Sequence, residues 1–157
     1  MPTPKEMYYA KRGQILVKNL QSRHFEAYYC ENKEQALEKA LELIPKGASI
    51  GWGGAMSAQQ IGLLDAVHSP EYNAIDREKA ATAEERDQLM RQASQAQVFI
   101  TGANGLSLDG EMVNIDGTGN RLASLAYGHK HQYLVVGMNK VCEDLEKAIW
   151  RVRNVAA

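Results

Sequence analysis

The chain has 157 residues, of which 45% are hydrophobic and 24% are charged, and its formal net charge is -1. This length allows one domain that buries roughly 70% of its unfolded surface, and the near-neutral charge gives no bulk attraction to nucleic acid or to an anionic membrane. No apolar run approaches the roughly 20 residues of a membrane span, and Cys30 and Cys142 form no Cys-x-x-Cys pair. We therefore expect a single domain over residues 1–157 in a reducing cytoplasm, with a small molecule or another protein as its partner.

The first third of the chain alternates between predicted helices and strands. Residues 5–20 place apolar side chains on one stripe and are predicted to form a helix, whereas residues 23–29 alternate as a strand does. Asn32 is a good N-cap with Gln35 at the third helical position. A second amphipathic helix should therefore begin at Asn32 and stop at Pro45.

A glycine-rich turn follows the next predicted strand. Residues 48–51 resume an extended chain, and the turn GWGGAMS, residues 51–57, leads into a predicted helix over residues 58–67. Small residues after a strand can expose successive N–H groups at a helix start, which favours anion binding. The turn matches neither a Walker loop nor G-x-G-x-x-G. A tight strand-to-helix turn with Ser57 as the N-cap explains it equally well.

The alternation continues toward the middle of the chain. Residues 72–76 are a short strand candidate that ends in Asp76 and Arg77, and Thr82 with Glu85 predicts a capping box for a helix to about residue 93. Strands that alternate with helices predict an α/β layer fold with a mostly parallel sheet, in which ligands bind at the carboxyl ends of the strands.

The stretch TGANGLSLDGEMVNIDGTGNR, residues 101–121, is unusually dense in turn-forming and ligand-capable side chains. It follows a predicted strand over residues 98–101, Asp109-Gly110 signals a hairpin, and residues 111–116 alternate at the strand period. Asx-type turns account for a hairpin but not for a cluster this long. We therefore interpret the stretch as the wall of a ligand site.

The last third carries two more predicted helices, over residues 122–127 and 143–152. Between them, residues 133–137 form a continuous apolar run, which is typical of a strand covered on both faces. Lys140 follows this strand and can balance a phosphate or carboxylate, although the polar start of a helix explains it equally well.

No cofactor site is evident in the sequence. His129 and His131 would lie on one strand face, but no third metal ligand accompanies them, so no metal site is predicted. The chain has no dinucleotide fingerprint and too few cysteines for an iron-sulfur cluster. We expect no cofactor in this chain.

Several motifs together resemble the LUD domain family of lactate-utilisation proteins. They are, in order, GWGGAMS, IGLLDAV, IDR, EER, TGANGLSLDGEMVNIDGTGNR, VVGMNK and RVRNVAA. The resemblance spans nearly the whole chain, with departures at Ala55, where the family usually has Ser, at Gly105-Leu106-Ser107, where it has Ala-Ile-Thr, and at His129, where it has Pro. Family members commonly continue past the position of Ala157 in a cysteine-bearing tail, which is expected to be absent here.

The resemblance implies a Rossmann-like three-layer fold similar to the isomerase and CoA-transferase group, which includes ribose phosphate isomerase and glucosamine phosphate deaminase. Within that group, the central stretch is similar to the GAD-x-x-x-x-N-G-x-x-x-N-K-x-G-T motif of methylthioribose phosphate isomerase. The catalytic Asp of that motif falls on Asn104 and its Lys on Ile115. An amide cannot act as a general acid or base, so the resemblance implies that this chemistry is lost.

The resemblance further implies an accessory protein of lactate utilisation, a ligand-binding domain that acts with iron-sulfur and oxidoreductase partners to convert L-lactate to pyruvate. Two alternatives remain open. One is an autonomous isomerase or transferase acting on a small phosphorylated or acyl substrate, with Glu111 or Asp116 as acid, base or nucleophile. The other is a structural subunit whose glycine motifs are only turns. A homo-oligomer is compatible with each of them.

Both glycine-rich segments follow strands, so we expect them to form one site at one edge of the sheet. The site should favour a small anionic ligand, because Arg121 and Lys140 supply positive charge. The predicted ligand-binding residues are Gly51, Gly53, Gly54, Met56, Ser57, Asn104, Asp109, Asn114, Gly117, Gly119, Asn120, Arg121 and Lys140.

Overall fold

The computed structural model describes residues 1–156 and divides into two compact units. Unit 1 comprises Met1–Ala36, Ala103–Ile115 and Val136–Ala157, and unit 2 comprises Leu37–Gly102 and Asp116–Val135. Within residues 1–156, no helix has the length and apolar character needed to cross a membrane. A single domain over residues 1–157 stays a prediction.

Helices and strands alternate along most of the chain. Helices α1 to α7 span Pro4–Ser22, Lys33–Leu43, Met56–Gln60, Leu63–Ala66, Ala83–Ser94, Asn120–Ala126 and Leu145–Arg151. Strands β1 to β7 span Ser49–Trp52, Asn73–Ala74, Val98–Thr101, Gly105–Ser107, Met112–Val113, His131–Leu134 and Val141–Cys142. Short 3-10 turns occur at Arg77–Lys79 and Met138–Lys140, and a π-helical turn at Val152–Ala156 follows α7.

Unit 2 is built on a four-stranded sheet in the order β2-β1-β3-β6, in which every pair is parallel. One face carries the core, where Ile50, Val98 and Ile100 pack with residues of α3 and α4 such as Leu63. On the other face, a Cβ at Gly51 would lie 2.7 Å from the carbonyl oxygen of Ala93, so α5 packs directly on β1. The predicted α/β class, with helices on both faces of a mostly parallel sheet, is confirmed.

Unit 1 contains a three-stranded sheet in which β4 lies between antiparallel β5 and parallel β7. Helix α1 is fixed to the loops of this sheet by side chains that donate to backbone carbonyls. Asn19 Nδ2 donates to Leu108 O at 2.7 Å, and Arg23 Nε donates to Asp109 O at 2.8 Å. The loops therefore have partners supplied by the helix, which satisfies carbonyls that the ladder leaves open.

Local signals predicted two helix starts and the hairpin correctly. Gln35 N donates to Asn32 Oδ1 at 2.9 Å, and Glu85 N donates to Thr82 Oγ1 at 3.1 Å, as the capping patterns predict. The carboxylate of Glu85 accepts from the backbone N–H of Ala81 rather than from that of Thr82. At the predicted hairpin, β4 and β5 are joined by a turn in which Gly110 has φ 91.

Two predicted elements differ from the structure. Residues 23–29, predicted as a strand, form no strand, because this segment has no ladder partner and lies against α1 through the Tyr29 ring. The helix predicted over residues 58–67 is interrupted at Gly62, whose φ of 84 is incompatible with continuing helix. The result is two short helices, α3 and α4.

The strands near the end of the chain also differ. Of the residues 133–137 predicted as a strand covered on both faces, only Tyr133 and Leu134 belong to β6. This strand spans His131–Leu134, lies at the edge of the sheet and is half-buried. Strand β5 covers only two of the residues 111–116, because Ile115 N turns away to donate to Asn104 Oδ1 at 2.9 Å.

Gly13 gives a test of the packing in unit 1. A Cβ at this helical position would lie 2.2 Å from Tyr29 Cδ2, and burial, together with the Glu31 and Glu6 carboxylates, raises the pKa of Tyr29. Replacing a Gly inside a helix by Ala normally raises the free energy of unfolding by roughly 1 kcal/mol. Overpacking a buried site lowers it by about 1–3 kcal/mol. We expect Gly13→Ala to lower the free energy of unfolding in urea by about 1 kcal/mol, because the ring must be displaced.

Lys11→Ala is the control, since Lys11 is exposed on the same helix and Lys and Ala are both good helix formers. It should leave the urea midpoint unchanged. A Gly13→Ala variant as stable as the wild type would contradict close packing between Gly13 and Tyr29.

Candidate functional site

The glycine-rich turn after β1 is shaped by close neighbours on α6. A Cβ at Gly53 would lie 3.2 Å from Asn120 Nδ2, and a Cβ at Gly54 would lie 2.8 Å from Arg121 Nη1. Gly54 also has φ 57, a backbone conformation that residues other than Gly disfavour. The turn therefore needs glycine because the start of α6 comes so near.

Arg121 and Asp116 form a buried ion pair next to this turn. Asp116 Oδ1 accepts from Arg121 Nε at 2.8 Å and from Nη2 at 2.6 Å, and Asp116 Oδ2 accepts from Leu122 N at 2.8 Å. The Asp116 side chain is 7% exposed and the Arg121 side chain is 5% exposed. The carboxylate thus satisfies a backbone N–H at the start of α6 while it compensates the guanidinium charge. The positive charge of Arg121, which the sequence predicts to meet a ligand, is balanced inside the protein by Asp116.

The glycine-rich turn leads directly from β1 into α3, as the alternative interpretation predicts, but Ser57 is not the N-cap of that helix. Helix α3 begins at Met56, its N-cap is Ala55, and no side chain caps it. Ser57 is buried within the helix, whereas the Met56 side chain is 64% exposed. Met56 and Ser57, although adjacent in the chain, therefore have different surroundings.

In unit 1, two asparagines of the central stretch hold the chain on either side of the hairpin. Asn104 N donates to Asn114 Oδ1 at 3.0 Å, and Ile115 N donates to Asn104 Oδ1 at 2.9 Å. Arg151 Nε donates to Asn104 O at 3.2 Å. These bonds make Asn104 and Asn114 part of the support of the loop.

Glu111, the other carboxylate considered for catalysis, closes the hairpin. Its Oε1 accepts from Ser107 Oγ at 3.0 Å, and its backbone N donates to the same hydroxyl at 3.0 Å. Asp109 contributes its carbonyl to Arg23, and Lys140 lies in the 3-10 turn that precedes β7. Glu111 is therefore held by the hairpin to which it belongs.

The structure brings the predicted residues of unit 2 into contact with one another, namely Gly53, Gly54, Asp116, Asn120 and Arg121. Gly119 has φ 77 and precedes α6, and Gly117 has open space around it. The predicted residues Asn104, Asp109, Glu111, Asn114 and Lys140 belong to unit 1. Their assignment to one shared ligand site stays a prediction.

A pocket of about 110 Å³ lies in unit 2 on the sheet face that carries Phe99. Its apolar walls include Trp52, Ile75, Met90 and Phe99, and its polar lining includes Arg77 and Asn120. Trp52 ends β1, while Ile75 and Arg77 follow β2, so the pocket lies where α/β sheets usually bind ligands.

Most of the pocket lining was not predicted from the sequence. Trp52 lies in the glycine-rich turn and Asn120 was predicted, but Arg77, Met90 and Phe99 were not among the candidates. One signal was available for Arg77, because it follows a predicted strand directly and so belongs at the carboxyl end of the sheet.

Arg77 is positioned by the residue before it. Asp76 Oδ1 accepts from Glu78 N at 2.9 Å and so caps the turn Arg77–Lys79. Asp76 Oδ2 lies 3.0 Å from His68 Nε2, and the His68 ring meets the Trp52 ring edge-on at 5.5 Å. These contacts link Arg77 to the Trp52 wall of the pocket.

The histidines considered as metal ligands have other neighbours. His129 stacks on Phe99 with ring centroids 4.8 Å apart, and its Nδ1 lies 2.7 Å from Ala96 O. His131 belongs to β6 and pairs with Val98. Among residues 1–156, no three His, Cys, Asp or Glu side chains are grouped as a metal site requires.

The ion pair can be tested by removing one charge. Asp116→Asn preserves the volume of the side chain but removes the carboxylate charge that compensates the buried Arg121 guanidinium. Breaking a buried pair in this way costs about 3–5 kcal/mol, and we expect a loss of this size in urea unfolding.

The matched control is Asp87→Asn on α5, which breaks an exposed pair with Arg91 at 2.8 Å. Its effect on the urea midpoint should be near zero, because solvent screens exposed ion pairs. Equal effects of the two substitutions would mean that burial does not strengthen the Asp116 contact.

The glycine-rich turn can be tested by adding one methyl group. Gly54→Ala places a Cβ in a left-handed conformation and against Arg121, so we expect a loss of about 1–3 kcal/mol in the free energy of unfolding. Gly117→Ala is the control, because nothing lies within 4 Å of its added Cβ. A tolerated Gly54→Ala would show that the turn and Arg121 separate easily.

Comparison with known proteins gives one family assignment. Searches of the curated proteins and of the solved structures gave no match. The sequence model of the LUD domain family matches residues 13–157, which is most of the chain. The central motifs of that resemblance include the glycine-rich turn and the stretch that contains Asp116 and Arg121. On this match, the chain belongs to the LUD domain family.

Proposed function

We propose that this chain is an accessory protein of lactate utilisation. It is a ligand-binding domain that acts with iron-sulfur and oxidoreductase partners in the oxidation of L-lactate to pyruvate. The observation that carries the proposal is its membership of the LUD domain family over residues 13–157, because this family is associated with lactate-utilisation proteins.

The geometry of the carboxylates supports a binding role over an autonomous acid–base role. Both oxygens of Asp116 accept hydrogen bonds, from Arg121 and from Leu122 N. Glu111 is held through Ser107 in a hairpin turn. A general acid or base must exchange a proton with its substrate at hydrogen-bonding distance. Asp116 in particular already accepts three hydrogen bonds from within the protein.

The chemistry of the reaction supports separate electron-accepting partners. Oxidation of a 2-hydroxy acid to a 2-oxo acid removes two electrons and two protons, and proteins hold a cofactor to accept the electrons. The chain contains two cysteines, fewer than the four that usually hold an iron-sulfur cluster, and no dinucleotide fingerprint. We therefore assign the electron acceptor to the partners and expect the isolated chain to be inert toward L-lactate.

The proposal is tested by deletion of the gene in the source organism. The deletion strain should fail to grow on L-lactate as the carbon source but should grow normally on pyruvate, which enters after the proposed step. A plasmid copy of the wild-type gene should restore growth on L-lactate.

Two outcomes would contradict the proposal. Unchanged growth of the deletion strain on L-lactate would separate this chain from the pathway. Turnover of L-lactate by purified, metal-free and flavin-free protein with an artificial electron acceptor would replace the accessory role by an enzymatic one.

A further inference from the structure

We infer that the pocket of unit 2 binds a small organic monoanion, whose charged group meets Arg77 and whose apolar part meets the wall formed by Trp52 and Phe99. The inference deepens the proposed ligand-binding role, on which it rests, because it names a site and a ligand class. It involves residues of unit 2 alone.

The size of the pocket limits how much of a ligand it can enclose. The pocket has a volume of about 110 Å³. For comparison, an apolar protein cavity of about 150 Å³ holds one molecule of benzene. The part of a ligand that this pocket encloses therefore has about six non-hydrogen atoms or fewer. A nucleotide or a sugar phosphate is too large to be enclosed.

The charge of the pocket selects the sign of the ligand. In the part of the pocket lining formed by described residues, Arg77 is the one charged side chain. Its Nε contacts Glu78 Oε1 at the long distance of 3.4 Å, and the same oxygen accepts from Arg86 Nη2 at 3.1 Å. The Arg77 side chain is 25% exposed, whereas that of Glu78 is 64% exposed. The planar fork of a partly buried guanidinium binds a carboxylate better than it binds a neutral group.

The remaining lining fits a short apolar body. The Trp52 and Phe99 rings, with Ile75 and Met90, form an apolar surface. An alkyl group that displaces water from this surface binds favourably. Asn120 places an amide at the same pocket and can orient a second polar atom of the ligand. A carboxylate with a chain of two to three carbons satisfies the charge, the volume and the apolar walls together.

Trp52 provides the signal for a binding experiment. Trp150 is 62% exposed and lies in unit 1, so Trp150→Phe leaves Trp52 as the tryptophan reporter. Fluorescence of this protein is titrated with butyrate, pyruvate and L-lactate, and with butyramide as the neutral isostere of butyrate. At least one monoanion should give a saturable change, with a Kd about tenfold or more below that of butyramide.

Three substitutions in the Trp150→Phe background locate the site. Arg77→Gln should weaken binding of the monoanion about tenfold or more while leaving butyramide unaffected. Arg86→Gln is the matched control, because Arg86 also contacts Glu78 but does not line the pocket. Ala123→Leu fills the pocket from an exposed position of α6 and should abolish binding without changing the thermal midpoint.

The outcomes separate this inference from the proposed function. The inference is overturned if none of the monoanions gives a saturable change, if butyramide binds as tightly as the most tightly bound monoanion, or if Arg86→Gln weakens binding as much as Arg77→Gln. Growth of the deletion strain on L-lactate decides the proposed function independently. A strain that requires the gene, with a protein that binds none of these probes, would overturn the pocket assignment alone.

Discussion

The buried ion pair between Asp116 and Arg121 sets the geometry of the glycine-rich turn in unit 2. Taking two such charges out of water costs several kcal/mol per ion, and the cost is offset only when the pair is close and its other donors and acceptors are used. Asp116 meets this condition with three accepted hydrogen bonds. With Arg121 fixed, Gly54 has no room for a side chain, and Asn120 is carried to the edge of the pocket.

The sequence predicted those parts of the fold that depend on local interactions. The caps at Asn32 and Thr82 involve residues three positions away, and the hairpin at Asp109-Gly110 involves one turn, so a short window contains the physical cause. The segment over residues 23–29 has the alternation of a strand but no neighbour to complete a ladder. Strand pairing depends on distant segments, and alternation alone does not reveal whether a partner exists.

The candidate site was predicted in part for the same reason. The glycine-rich turn and Asn120 carry visible signals of their own, whereas Arg77, Met90 and Phe99 meet only because the strand order is β2-β1-β3-β6. That order brings together residues that are far apart in the chain. The sequence also cannot tell whether a cation is compensated internally. The sequence predicts Arg121 as a ligand-binding cation, whereas its guanidinium pairs with Asp116.

The division of the chain has a consequence for how the protein folds. Unit 1 is assembled from three separate segments, and its β4 strand pairs with β7 through Leu106 and Val141. Arg12 Nη2 also donates to Val141 O, across 129 positions of sequence. During synthesis, unit 1 can therefore complete its fold around the N-terminal helix only after the last segment of the chain has been made. Contacts of such long sequence separation slow folding, because loop-closure entropy is lost before the contacts form.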